Sequence, residues 1–242
     1  MFDLLNNATT ADVRHRAARV AVLPIGSFEQ HGEHLPLTTD TVIACSLAAR
    51  LAQTYPMLLL PPVTVSCSHE HAAFAGTVSV SARTLQQIVE DVAVSLHRSG
   101  VDRLVLLDGH GGNHVLGSVV QEYTSVHGPA MTLFPAAAEW AAARAGAGLC
   151  TAADVDVHGG ELETSLMLHL APELVRDGAP VADVIADDAA FLLTLGMAAY
   201  SESGVLGRPS QATAAKGEKA VALLLGAFPE HLVALDLLVK HL

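Results

Sequence analysis

Short apolar runs alternate with longer segments of helical periodicity along this chain, and that alternation limits the possible folds more than any other feature. Residues 20–25, 57–65, 103–107 and 130–134 are short and apolar, as buried strands are. Between them lie helical patterns at 41–55, at 81–99, from the turn at 108–113 through 126, and at 136–147. The clearest is 81–99, where Ser81 is a cap, Leu85, Ile88, Val89, Val92 and Leu96 share one face, and Gly100 ends the helix. Further helices are predicted over 11–19, 161–170, 212–228 and 230–241, with Pro56 and Pro172 closing two of the patterns. No repeat, linker or second composition regime interrupts this order. The expectation is a single domain over 1–242, of the α/β class, with a mostly parallel central sheet. Ligands of such sheets sit beyond the carboxyl ends of the strands.

Composition removes several functions. The net charge of −12 and the scarcity of aromatic residues argue against nucleic-acid binding, which needs clustered Lys and Arg and stacking platforms. No uncharged apolar run reaches the ~18 residues of a membrane span, and the first residues show no leader pattern. Cys45, Cys67 and Cys150 are scattered and odd in number, so they read as thiols of a reducing, cytoplasmic compartment. Thirteen histidines against thirteen Lys plus Arg is the unusual number.

The densest polar stretch, Gly26-Ser27-Phe28-Glu29-Gln30-His31-Gly32-Glu33-His34-Leu35-Pro36-Leu37-Thr38-Thr39-Asp40-Thr41, follows the first strand. In extended chain Glu29 and His31 leave the same face. Asp40 opens the next helix, where a carboxylate faces the free amides. Glu, His and Asp delivered together form a ligand set for Zn or Mn. Taken alone, Glu29 and Asp40 read equally well as a solvated acid and a helix cap.

A second motif, Asp108-Gly109-His110-Gly111-Gly112-Asn113, turns the third strand into a helix. It has no Gly-x-Gly-x-x-Gly, no Walker lysine and no Gly-x-Ser-x-Gly partner, so a metal-ligating His110 suits it better than a nucleotide or an acyl-enzyme. A third, His158-Gly159-Gly160-Glu161-Leu162-Glu163, opens the helix at 161–170. Glu161 and Glu163 are ~200° apart around a helix. With Leu162, Leu166 and Leu170 as core positions, Glu163 is expected inward and Glu161 nearer solvent.

These stretches, with Glu70-His71 leading to Phe74-Ala75-Gly76-Thr77, and Ser203-Gly204-Val205-Leu206-Gly207-Arg208-Pro209 continuing to Lys216-Gly217, occur in the order and form of the creatininase family, which the chain resembles from about residue 20 to 220. The resemblance implies a three-layer αβα fold, a homo-oligomer that is usually a hexamer, and a two-metal centre of Zn or Mn that hydrolyses a C–N amide bond. By position it implies Glu29 and His110 on one metal, His31 on the other, Asp40 bridging both, and Glu163 as the remaining ligand. His158 takes the place of the family's catalytic histidine, which passes a proton to the leaving nitrogen. His34, Glu70, His71, Gly111 and Asn113 fall in the pocket or behind the ligands.

Two departures narrow the substrate. Creatininase itself has Tyr-Glu after the metal histidine, where this chain has Gly111 and Gly112, and it closes tryptophans over a small flat substrate, whereas Trp140 is the single tryptophan here. The expected activity is hydrolysis of a small cyclic amide or formamide. The alternatives are trimming of a short peptide, since the late segment resembles the mycofactocin precursor peptidase branch, and a catalytically idle assembly subunit. His114 is expected to orient a ligand or to cap its helix. His15, His97, His127, His169, His231 and His241 carry no assigned role.

Overall fold

The computed structural model describes residues 7–176, 183–186 and 189–237. Its elements run α1 (Thr10–Arg16), β1 (Val20–Ile25), α2 (Thr39–Thr54), β2 (Met57–Leu59), α3 (Ala82–Arg98), β3 (Arg103–Asp108), α4 (Val115–His127), β4 (Met131–Phe134), α5 (Ala137–Ala147), α6 (Glu161–Leu170), α7 (Leu192–Leu195), α8 (Ala214–Ala227) and α9 (Pro229–Ala234). The end of the helix expected over 230–241 lies outside the described residues from 238 on.

The four strands form one parallel sheet in the order β2-β1-β3-β4. Every residue of β1 is buried, as a strand covered on both faces must be. Its side chains alternate between two cores. Val20 and Val22 join α2, α5, α6 and α8 on one side through Leu47, Ala143, Leu166 and Leu224. Ala21, Leu23 and Ile25 join α3 and α4 on the other through Leu85, Val89, Leu116 and Val119. A parallel sheet between two helical layers is the three-layer αβα arrangement. No helix among the described residues is long and apolar enough to cross a membrane.

Two local expectations change. The strand expected over 57–65 stops at Leu59, because Pro61 and Pro62 have no N–H to offer the ladder. The chain then rejoins β1, with the Val63 N–H donating to the Pro24 carbonyl and the Gly26 N–H donating to the Val63 carbonyl. That return brings residues 66–71 to the carboxyl end of the sheet. The short helix expected over 11–19 begins one residue earlier, at a Thr9/Asp12 capping box, and buries none of its residues.

Candidate metal centre

β1 and β3 end side by side, with Ile25 in register with Asp108. The loops leaving these ends carry Glu29–His31 and His110. The loop after β1 lies directly on the start of α2. A Cβ on Gly26 would sit 2.4 Å from the Thr41 backbone, so only glycine allows that approach. The approach brings Asp40, in the first turn of α2, under the loop, where Ser27 Oγ donates to its Oδ2 at 2.7 Å.

Asp40 is wholly buried and faces two imidazoles with its two oxygens. Oδ1 lies 3.1 Å from His31 Nε2, and Oδ2 lies 3.0 Å from His110 Nδ1. The opposite nitrogens of both rings meet carbonyls that can only accept. His31 Nδ1 donates to the Glu29 carbonyl at 3.1 Å, and His110 Nε2 donates to the Cys67 carbonyl at 2.7 Å. The ring atoms turned toward Asp40 are therefore those available to a cation. Glu29 is also wholly buried, with Oε2 at 3.2 Å from His110 Nε2 and Oε1 at 3.4 Å from His71 Nε2 and 3.6 Å from His158 Nδ1. Neither Glu29 oxygen has a hydrogen-bond partner. Glu163 reaches in from α6, its Oε2 3.9 Å from His31 Nε2 while accepting from the Gly159 N–H at 2.6 Å. Three sets bring potential ligand atoms within 4.8 Å of one another: Glu29, Asp40 and His110; His31, Asp40 and Glu163; and Glu29, His31 and His158.

Crowding of buried acids and imidazoles displaces their protonation. Burial, against the pull of His110, and the Asp40 charge raise Glu29 to about 8. Burial also raises Glu163 to about 7 and Asp108 to about 7. Burial would lower His31, but the neighbouring Asp40 carboxylate prevails and raises it to about 9. His110 is raised for the same reason. Burial, then the charge of His31, pushes His71 down to about 3 and His158 well below its ordinary value. Despite its burial, Asp40 is held well below the usual carboxylate range by His31 and His110, so without a cation the centre stores protons on Glu29 and on two imidazoles around an ionised Asp40.

The other expected residues divide. His71 is buried against Glu29, and its ring packs at 4.2 Å, tilted by 42°, on His158, which packs in turn at 4.2 Å, tilted by 38°, on His31. Asn113 is buried and holds two partners, Asp108 Oδ1 at 2.9 Å and the Cys67 N–H at 3.2 Å. His34 is buried against α6, its Nε2 3.0 Å from Thr164 Oγ1. His114 precedes α4 without a side-chain capping bond. Gly111 lines a cavity of about 420 Å³ that opens onto His110, His158 and Glu163 and is walled by Ile43, Leu133, Trp140, Leu162 and Leu166. Among the described residues no lysine or arginine lines it. Glu70 lines a second cavity, of about 520 Å³, with Gly112, Leu193 and Leu195.

Glu161 is a correction. It was expected nearer solvent, and it is wholly buried. Lys216 Nζ donates to its Oε1 at 2.6 Å, and the Cys150 and Thr151 N–H groups donate at 2.9 Å and 2.7 Å. The helical angle puts the two glutamates on different faces but cannot say what lies against each, and α8 covers the face of Glu161. Burial works to raise Glu161, but the Lys216 ammonium and these N–H groups bring it to about 2. Its ion pair therefore stabilises the fold above the ordinary carboxylate range and loses that contribution as pH falls from about 4.5 toward about 2. Lys216→Met is expected to destabilise the protein by about 3 kcal/mol, because it leaves a buried carboxylate without its counter-charge. Urea unfolding at pH 7 and pH 3 measures this, and the difference between variant and wild type should shrink at the lower pH.

The motif reading missed three residues. Asp108 accepts from the His110 N–H at 3.1 Å and so shapes the turn that carries that ligand. An acid on the last position of an apolar strand was the available sign. Asp156 accepts from the Glu161 and Leu162 N–H groups and pairs with Arg144 at 2.9 Å, fixing the start of α6. Ser27, inside the first motif, holds Asp40.

Known proteins resemble this chain over most of its length. The creatininase family profile, described as creatinine amidohydrolase, matches residues 6–232. A mycofactocin precursor peptide peptidase of Mycobacterium ulcerans is 38% identical over 218 residues, covering 83% of this chain and 79% of the relative. Creatinine amidohydrolase of Pseudomonas putida is 29% identical over 185 residues, 64% of this chain and 66% of the relative. A solved structure of creatininase with Mn superposes with a TM-score of 0.71 at 24% identity, covering 93% of this chain and 95% of that one. The donor types brought together by the two loops suit a divalent metal. The chain belongs to the creatininase family, whose members are hydrolases of C–N amide bonds.

Proposed function

We propose that this chain hydrolyses the amide bond of a short precursor peptide with two divalent cations, Zn or Mn. Glu29, Asp40 and His110 hold one cation, and His31, Asp40 and Glu163 hold the other. The observation that carries the reading is the position of Asp40, one buried carboxylate with a different imidazole at each oxygen. The residues fit such an occupant: the two Glu29 oxygens are buried without a hydrogen-bond partner, a costly state unless a cation is bound there. When bound, such a pair polarises the amide carbonyl and makes water acidic enough to attack at neutral pH.

The chain's own groups supply the rest. His158 donates its Nε2–H to the Gln30 carbonyl, which leaves Nδ1 to exchange a proton at the cavity wall. Burial and the adjacent His31 keep that ring neutral at rest. The apolar wall of Ile43, Leu133, Trp140 and Leu162 takes uncharged side chains of the substrate and excludes water. The mycobacterial relative is a peptide peptidase, and the described wall is mostly apolar, which suits a peptide better than a phosphate-bearing substrate. A small cyclic amide or formamide is the second reading, supported by the relation to creatinine amidohydrolase. The intact donor set argues against an idle subunit. The reading includes a homo-oligomer, for which exposed Phe191, Leu193 and Leu195 provide an apolar patch.

Side-by-side assay of a mycofactocin-type precursor peptide, creatinine and a formamide, with Zn or Mn supplied, tests the substrate. Cleavage of the peptide at least ~100-fold faster in kcat/KM is expected; creatinine as the better substrate would reverse the order of the two readings. Metal binding should also depend on pH. His31 at about 9 and the raised His110 are protonated in the metal-free protein at neutral pH, and a cation must displace those protons. Zinc affinity is expected to rise roughly tenfold per pH unit for each proton displaced between about pH 6 and 8. Calorimetry in buffers of different ionisation heat reads the protons released, and zero release at pH 7 would remove these imidazoles from the ligand set.

A further inference from the structure

Gln30, between the two ligands of the first motif, is buried and has three partners that together fix its orientation. Its Oε1 accepts from the Gly32 N–H at 2.9 Å. Its Nε2 donates to the Gly204 carbonyl at 2.9 Å, and a carbonyl can only accept. A Cβ on Gly204 would fall on the Gln30 amide, so glycine there is what lets this backbone come so close. The same Nε2 lies 2.8 Å from His71 Nδ1. With the amide oriented by two backbone groups, its NH2 faces His71, and Nδ1 must be the acceptor. An imidazolium carries N–H on both nitrogens, so acceptance at Nδ1 also requires the neutral ring, with its proton on Nε2. His71 Nε2 faces Glu29 Oε1 at 3.4 Å.

We propose that Gln30 is a positioning residue for the metal centre: it fixes His71 as the Nε2–H tautomer, so that His71 turns an N–H and no lone pair toward Glu29 Oε1, 3.4 Å away and short of a hydrogen bond in this structure, and biases the orientation of that carboxylate. The inference rests on the reading of Glu29 as a metal ligand. In that tautomer His71, buried within reach of Glu29, has no lone pair on Nε2 with which to compete for a cation. The late segment 203–209 gains a role as well, since it supplies the Gly204 carbonyl that sets the amide. Partners that orient a ligand carry about 10–100-fold of metal affinity.

Two measurements test this. Long-range 1H–15N spectra of histidine-labelled protein, zinc-loaded and metal-free, report the tautomer, with His71→Gln identifying the signal. His71 is expected to be protonated at Nε2 alone; a proton on Nδ1 would overturn the proposal. Zinc affinity is then measured for Gln30→Met in the wild-type and in the His71→Gln background. Glutamine at 71 keeps an N–H donor and needs no tautomer control, so a roughly tenfold loss is expected in the first background and little in the second. Equal losses in both would make Gln30 merely a brace for the Gly32 and Gly204 backbone and overturn the proposal. If wild-type protein bound no zinc, the metal reading would fail instead, while the metal-free spectrum would still report the tautomer.

Discussion

Asp40→Ala is expected to remove both cations and to lower kcat/KM at least ~1000-fold, whereas Glu163→Gln is expected to leave one cation in place. The difference follows from geometry. Asp40 Oδ1 stands 3.1 Å from His31 Nε2 and Oδ2 stands 3.0 Å from His110 Nδ1, so alanine takes a donor from each of the two ligand sets. Glu163 belongs to the set around His31 and to neither of the others. Asp40→Ala also takes the acceptor from Ser27 Oγ and the counter-charge from two buried imidazoles, whose pKa values should fall back toward the ordinary range. Metal content per chain by mass spectrometry, on protein purified without chelator, reads the result directly. About two ions in wild type, about none in Asp40→Ala and about one in Glu163→Gln is the expected series. A full complement in Asp40→Ala would refute the shared carboxylate.

Glu29, His31 and Asp40 are nameable as candidate donors from the first motif, and the reason is local; the shared role of Asp40 and the place of Glu163 come only with the family resemblance. Glu29 and His31 are two residues apart on the chain leaving β1, and Asp40 stands in the first turn of α2, so strand end, loop and helix start lie within sixteen residues. Short-range geometry decides such a case. The parallel sheet was equally legible, because a strand buried on both faces must be apolar throughout, as β1 is.

What stayed hidden depends on partners far along the chain. Nothing near Glu161 announces Lys216, which lies 55 residues later on α8 and turns an apparent surface acid into a buried ion pair. For His71 the resemblance offers a place in the pocket or behind the ligands, but its particular partner, Glu29, emerges only when the chain returns past Pro61 and Pro62. Gln30 was visible within the motif, but its role depends on a carbonyl 174 residues away. The candidate donors of the first motif are thus a local property of one loop and the helix after it, while His110, Glu163 and the groups that orient and neutralise these side chains are brought in by tertiary packing.

The separation between holding a cation and moving a proton gives the second large effect. His158→Gln is expected to lower kcat by about 100–10,000-fold while metal content and KM change little. His158 sits on the cavity wall, with Nε2 donating to the Gln30 carbonyl and Nδ1 3.6 Å from Glu29 Oε1. It occurs in a ligand set with Glu29 and His31, but neither of the sets built on Asp40 needs it. Glutamine preserves an N–H donor and much of the volume between the His31 and His71 rings, so the packing there should survive, and equal thermal unfolding would confirm that it does. What glutamine lacks is a nitrogen that can take up a proton and give it to the leaving amine. The deficit should therefore be larger for a substrate with a strongly basic leaving amine than for an activated anilide, whose nitrogen leaves without full protonation. Comparing kcat for the two substrates in wild type and variant isolates the proton. Equal deficits, or loss of a cation from the variant, would make His158 a ligand instead of a proton donor.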